Sequence, residues 1–365
     1  MQIDPFAVAR GASNLLTNAA GVDAGDRLLI VHEDPRLDYY DSEMVAAVAA
    51  EGRRMGAVVS FHQVAFEPLS AAIPVDLQAA LRTADKVIFL ARIGDQMRFA
   101  DMGVSATVVV SYALDSHGLG SPFGTADHRA FVELKSAIDE VLANARTIHV
   151  TCPAGTDFRG PGSGPAGRTM AVGISRFPMP VFTPLPAAGF AGTVALPGFL
   201  VGTGSMYYQP YGVEYSGALF AHFVAGRLTH FSGDVAAVHL AEAHYQYIAD
   251  TFAIDERCVH SWHAGIHPGC EFFGTASASY EKWSGSAFGN PRLLHFHTCG
   301  DYAPGEISWN VIDPTITIDG SAIWQSGHLN PMLVPGGGEI LAKYPSAKAA
   351  FDLPGQNIGV IRARS

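Results

Sequence analysis

The chain has 365 residues, of which 48% are apolar and 16% charged. That balance builds packed cores, excludes intrinsic disorder, and leaves room for two domains. The formal net charge of −11 argues against nucleic-acid and anionic-membrane partners, both of which select clustered Lys and Arg.

The N-terminal Met1-Gln-Ile-Asp-Pro-Phe6 has no basic-plus-apolar leader pattern. No uncharged apolar run approaches the ~20 residues that cross a bilayer, so a cytoplasmic location is expected. Asp26 to His32 reads as a buried strand, followed by a helix from Ser42 to Gly52 with Ser42 as its N-cap. Ala57 to His62 is the next strand, Asp76 to Thr83 a helix, Lys86 to Leu90 and Thr107 to Tyr112 two more strands, and Ala130 to Ala145 a long amphipathic helix. Short apolar strands separated by helices predict a parallel, helix-covered sheet, a Rossmann-like α/β domain over residues 1–145. No Gly-x-Gly-x-x-Gly follows the first strand, so no dinucleotide is expected.

Beyond Arg146 the texture changes. Thr147 to Thr151 reads as a strand, and Pro153 to Gly167, Pro178 to Gly192 and Pro197 to Gly204 are dense in Gly and Pro. Short β runs recur at Ala218 to Val224 and Thr315 to Ile318, with turns at Ala225-Gly226 and Asp319-Gly320. One helix, Val235 to Phe252, interrupts them. The expectation is a β-rich α+β domain over residues 146–365. Four cysteines, Cys152, Cys258, Cys270 and Cys299, are too scattered for a disulfide framework and read as reduced thiols, with thiolate ligation open.

This second half holds five histidines between positions 260 and 297. Side chains alternate along a strand, so a strand from Leu293 to Cys299 projects His295 and His297 from one face, close enough to share an ion. Upstream, Cys258-Val-His260-Ser-Trp-His263-Ala-Gly-Ile-His267-Pro-Gly-Cys270-Glu271 supplies further nitrogen and oxygen donors. The glycine and proline turns let it fold back, so at least one of His260, His263 and His267 is expected to join the pair. Imidazole and carboxylate are the usual ligands of catalytic zinc and non-haem iron. Lone histidines in apolar runs, such as His149, His230 and His239, read instead as core residues.

Arg146-Thr-Ile-His-Val-Thr-Cys-Pro-Ala-Gly-Thr-Asp157 with Gly167-Arg168, then Gly226-Arg-Leu-Thr-His-Phe-Ser-Gly-Asp234, then Val311-Ile-Asp-Pro-Thr-Ile-Thr-Ile-Asp-Gly320 with Ile323 and Gly327, occur in that order. Together they resemble the aminopeptidase T group of metallopeptidases, whose fold is shared by 2,5-dihydroxypyridine 5,6-dioxygenases. The resemblance implies that fold, a metal site in the second domain, a small-molecule substrate and a homodimer.

The chain departs from the family's ligand pattern. The family's glutamate after a Pro-Gly pair has no counterpart in Pro184-Leu-Pro-Ala-Ala-Gly-Phe190, and its His-x-Asp aligns with Ser308 and Asn310. Two accounts follow: ligation has moved to His295 and His297, aided by His260 or His263 and by Asp301 or Glu271, with His260 and Asp301 placed first, or the pocket works without metal through histidine acid–base chemistry. His263, His267 and Glu271 are the catalytic candidates, and Ser308, Trp309 and Asn310 the substrate-binding ones. Few carboxylates are available to bridge two ions, which favours a mononuclear centre, Fe(II) before zinc. The expected activity is ring-opening dioxygenation of a hydroxylated aromatic or N-heterocyclic compound. The alternatives are a metal-dependent aminopeptidase or amidohydrolase, or a metal-free hydrolase or lyase.

Overall fold

The computed structural model describes residues 4–69, 72–98, 102–164, 174–300 and 304–360. Strands β1 (Arg27–Glu33), β2 (Val58–Val64), β3 (Lys86–Leu90) and β4 (Thr107–Ser111) lie parallel, in the order β2-β1-β3-β4. The first helix between them runs Ser42–Arg54, and its N-cap is Asp41, whose carboxylate accepts from the Glu43 N–H. The expected cap at Ser42 is therefore one residue late. Asp41 also accepts from the Ser116 N–H and hydroxyl, which fixes it just ahead of the helix.

The chain next forms β5 (Ile148–Thr151) and β6 (Asp157–Gly160), then returns to the first sheet with β7 (Ser175–Phe177), parallel to β4. The parallel sheet thus takes a strand from beyond residue 145, and the two halves interlock there.

The rest is antiparallel: β8 (Leu185–Pro186), β9 (Ala191–Ala195), β10 (Phe199–Gly202), β11 (Gly212–Glu214), β12 (Leu219–Val224), β13 (Arg227–Gly233), β14 (Val259–Ala264), β15 (Leu293–Thr298), β16 (Ile307–Ile312), β17 (Thr315–Ile318), β18 (Ser321–Gln325) and β19 (His328–Leu329). They form a six-stranded sheet, β11-β10-β16-β15-β14-β8, and an eight-stranded sheet, β13-β12-β9-β6-β5-β17-β18-β19. The helix Val235–Phe252 is capped by Asp234, which accepts from the Ala236 and Ala237 N–H groups. Three more helices, Tyr280–Ser286, Gly337–Lys343 and Pro345–Asp352, belong to this half, where one was expected. Each has eight or fewer residues, too short for a helical period to stand out from Gly- and Pro-rich surroundings.

The two antiparallel sheets pack through a core of aromatic rings. Phe158 of β6 meets Trp262 of β14 at 5.3 Å and Phe296 of β15 at 5.1 Å between ring centroids, and Phe296 meets Trp309 of β16 at 5.4 Å. Edge-to-face and tilted pairs of this kind add to the burial of large apolar area. Strand alternation then forces the intervening residues onto the opposite face. That face carries the histidines.

Candidate metal centre

In the β14/β15 ladder His263 lies directly across from His295, and Ser261 across from His297. In the β15/β16 ladder His295 lies across from Asn310, and His297 across from Ser308. Directly opposite residues share a face, so register alone collects three imidazoles, two hydroxyls and an amide on one side. His263 Nε2 is 2.6 Å from His295 Nε2 and 3.2 Å from His297 Nε2. One ligand atom from each of the three lies within 4.8 Å of the others. Among the described residues they are the one group of His, Cys, Asp and Glu so arranged.

The outer nitrogens decide how the inner ones are protonated. His263 Nδ1 sits 3.1 Å from the Phe182 carbonyl, which only accepts, so that nitrogen carries the proton and donates. His297 Nδ1 donates to Glu306 Oε1 at 3.0 Å. Neutral imidazole has one N–H, so His263 Nε2 and His297 Nε2 both point lone pairs into the same small volume. Two acceptors 3.2 Å apart repel unless a cation or a proton lies between them. Ligating histidines characteristically donate their other ring N–H to a carbonyl or carboxylate. Two of these three do so, and an imidazole set suits zinc, iron, copper or nickel. The residues therefore fit a single divalent transition metal.

Burial keeps the His263 and His295 rings neutral. His263 is held well below the ordinary histidine range, first by desolvation and then by the neighbouring His297; the Phe182 carbonyl opposes the shift, and Arg176 and Arg98 add to it. His295 is lowered likewise, by desolvation, then by His263, His297 and Arg176. Its ring stacks on Phe288 at 4.0 Å, and its Nδ1 has no protein partner.

All three histidines line one cavity, whose other wall comes from the parallel sheet: Tyr39, Tyr40, Arg92, Ser111 and Tyr112 lie at or beyond the carboxyl ends of β1, β3 and β4. Crevices outside those ends are the usual ligand sites of open α/β sheets. The cavity volume is about 90 Å³, room for several waters or one compact molecule in their place. Arg92 is locked by Glu33 at 2.6 Å and by Glu281 at 3.1 Å, a buried ion cluster that ties the parallel sheet to the helix Tyr280–Ser286.

Against known structures, the chain superposes on the 2,5-dihydroxypyridine dioxygenase from Pseudomonas putida KT2440 with a TM-score of 0.58 and 16% sequence identity, over 90% of this chain and 98% of that one. The fold is shared with a dioxygenase. It is the fold that the sequence resemblance implied. Wild-type AmpT from Thermus thermophilus matches with a TM-score of 0.48 and 11% identity, over 86% of this chain and 95% of that one. No family model and no curated protein matches the chain. No helix among the described residues is long and apolar enough to cross a membrane.

The candidate residues separate sharply. His295, His297 and His263 come together. His260, the proposed ligand, lies on the other side of β14's alternation and sits part-buried with Nδ1 3.0 Å from the Ser261 hydroxyl. His267 is fully buried away from the cavity, stacked on Phe131 at 3.7 Å, with Nδ1 accepting from the Gly269 N–H. Glu271 is no catalytic neighbour either: its Oε1 accepts from the Gln356 and Asn357 N–H groups and pins the C-terminal segment. Trp309 faces the aromatic core and donates its indole N–H to the Tyr245 hydroxyl, which removes it from the substrate wall. Ser308 and Asn310 are fully buried on the histidine face, one strand beyond His297 and His295, and are not among the cavity's lining residues. Asp301 lies outside the described residues.

Three histidines read as core are not. His230 and His239 are exposed, and His149 is a part-exposed partner of Asp157 at 2.9 Å. His149 and His230 occupy the outward positions of strands whose inward residues are apolar.

Sequence reasoning missed Glu306 as the partner of His297, and the whole wall from the parallel sheet. Glu306 lies nine residues from His297, in the connection between antiparallel neighbours, a spacing that could have raised it above the other acids. The wall residues follow the ends of parallel strands, a rule that could have found Arg92 and Tyr112.

Proposed function

We propose that this protein is a metal-dependent enzyme acting on a small hydroxylated aromatic or N-heterocyclic compound, by ring-opening dioxygenation at one ferrous ion held by His263, His295 and His297. The observation that carries the reading is the pair of lone pairs on His263 and His297, aimed into one volume by fixed Nδ1 partners at the end of a compact cavity. Iron(II) supplies activation of dioxygen beside a chelating ring, whereas zinc in the same donor set supplies an activated water for hydrolysis.

The chain's own residues do the remainder. Glu306 and the Phe182 carbonyl hold two imidazoles in their donor tautomer. Phe288 keeps His295 flat against an apolar surface. Tyr40 is locked by donating to the Ser111 carbonyl at 2.7 Å, which leaves its ring as a fixed wall. Residues from both sheets line the cavity. A two-ion hydrolase finds less support, because its bridging carboxylates have no counterpart around these histidines among the described residues.

A zinc hydrolase is the second reading, favoured by the three-imidazole donor set itself. Elemental analysis of the purified protein, followed by oxygen uptake with dihydroxypyridines, separates the two. Stoichiometric zinc with no oxygen uptake on any such ring would overturn the dioxygenase reading, and protein free of transition metal would overturn both. Homodimerisation is carried as a further proposal, and sedimentation as a monomer at micromolar concentration would remove it.

A further inference from the structure

Resting on that enzyme reading, we propose that Arg176 anchors a carboxylate on the substrate, so that the substrate class is a compact aromatic or N-heterocyclic acid. Arg176 stands on β7, opposite Val110 of β4, and lines the same cavity as the three histidines. Its buried Nε has no protein partner, and neither has the buried hydroxyl of Thr203 in the same wall. In folded proteins roughly 90% or more of such groups are paired. Together with His295 Nδ1, these make three orphans around one small cavity, and the two on this wall call for a polar ligand group.

The cavity's other charges are already matched. Arg92 is saturated by Glu33 and Glu281. Asp95 accepts from Arg98 at 3.0 Å and from the Tyr112 hydroxyl at 2.5 Å. Among the described residues Arg176 alone of the cavity's arginines has no carboxylate. A part-buried guanidinium gives up hydration, and an anion restores what is lost. The planar fork matches the two oxygens of a carboxylate. Its charge is also felt at His263 and His295, so one ring spanning the cavity offers its carboxylate to Arg176 and its other edge to the imidazoles.

Calorimetric binding of pyridine-3-carboxylate and 3-hydroxybenzoate, each against its neutral carboxamide, tests this on the purified full-length protein. The carboxylates should bind about ten- to a hundredfold more tightly than the carboxamides, the range of a charge-assisted hydrogen-bonded pair. Arg176→Ala should abolish that preference with carboxamide binding and metal content unchanged. Arg176→Lys, which keeps the charge and loses the fork, should reduce the preference severalfold, and decides the matter if the alanine variant does not fold. Equal affinity for acid and amide in the wild type, or an undiminished preference in Arg176→Lys and Arg176→Ala, overturns the proposal. So does inorganic phosphate displacing the acids at equal concentration, since the site would then be a phosphate site. Repeating the titration on chelator-treated protein separates the two readings. An Arg176-dependent acid preference in protein that never holds metal leaves this proposal standing and removes the metal reading. Bound metal with no acid preference does the reverse.

Discussion

The two faces of the β14–β15–β16 sheet are built on the same backbone and do opposite things. One face places Trp262, Phe296 and Trp309, all fully buried, against the eight-stranded sheet. The other places Ser261 and His263, His295 and His297, Ser308 and Asn310, nearly as buried yet polar throughout. Burial therefore does not distinguish core from site here; the density of polar and ligating atoms does. The aromatic face is held by ring contacts and leaves a single polar atom, the Trp262 indole N–H, without a partner. The histidine face keeps His295 Nδ1 and Glu306 Oε2 without protein partners, a cost that a purely structural sheet would have removed by substitution with apolar residues.

The contrast breaks most sharply at the histidines. His263→Ala and His297→Ala should each reduce bound metal from stoichiometric to near zero and abolish turnover, while denaturant unfolding shows the fold retained. Wild-type turnover in both would return this face to the core. Phe296→Ala, one residue along and on the other face, should cost about 3–5 kcal/mol of stability, read from urea unfolding, with metal stoichiometry preserved in the surviving folded fraction. Metal loss without destabilisation in that variant would erase the distinction between the faces.

Glu306→Gln tests the layer behind the site. Losing the carboxylate that orients His297 should weaken metal affinity by about 10- to 100-fold, measured by competition with a chromophoric chelator, with Tm little changed. An unaltered affinity would make Glu306 a bystander.

The smallest effect concerns a buried histidine outside the site. Burial lowers His267 to about 3, with a contribution from His128, and burial lowers His128 to about 4. Both folded values lie below the unfolded value of about 6.5. Stability is therefore complete above that pH and is lost as the pH falls toward 4, because the unfolded chain takes up protons that the fold refuses. His267→Phe keeps a flat ring against Phe131 and should flatten the fall of Tm between pH 6.5 and 4. At neutral pH it should cost about 1 kcal/mol, for the Gly269 N–H left unpaired. An unchanged acid limb would show that His267 contributes nothing to it.

The parallel strands were legible because β3 and β4 are continuous apolar runs, and His295 and His297 because a strand's period of two is unambiguous. The third histidine was less so. His260, His263 and His267 are equally good donors by type, and only the ladder, with its irregularity between Val259 and Ser261, puts His263 opposite His295. A cue was nonetheless present. Trp262 and Ala264 alternate with Ser261 and His263 as Leu294 and Phe296 alternate with His295 and His297, so matching the apolar faces would have selected His263 and set His260 aside.

The sequence by itself determined that two kinds of sheet form and that one strand presents paired imidazoles, because periodicity and side-chain chemistry act over a few neighbouring residues. Only the tertiary structure decided which histidine completes the trio, that Glu306 stands behind it, and that Arg176 and the strand-end residues of the parallel sheet form the facing wall. The first two choices depend on how neighbouring strands register, and the facing wall on crossings between distant segments, such as Arg92 with Glu281 across 189 positions, and no local pattern encodes either.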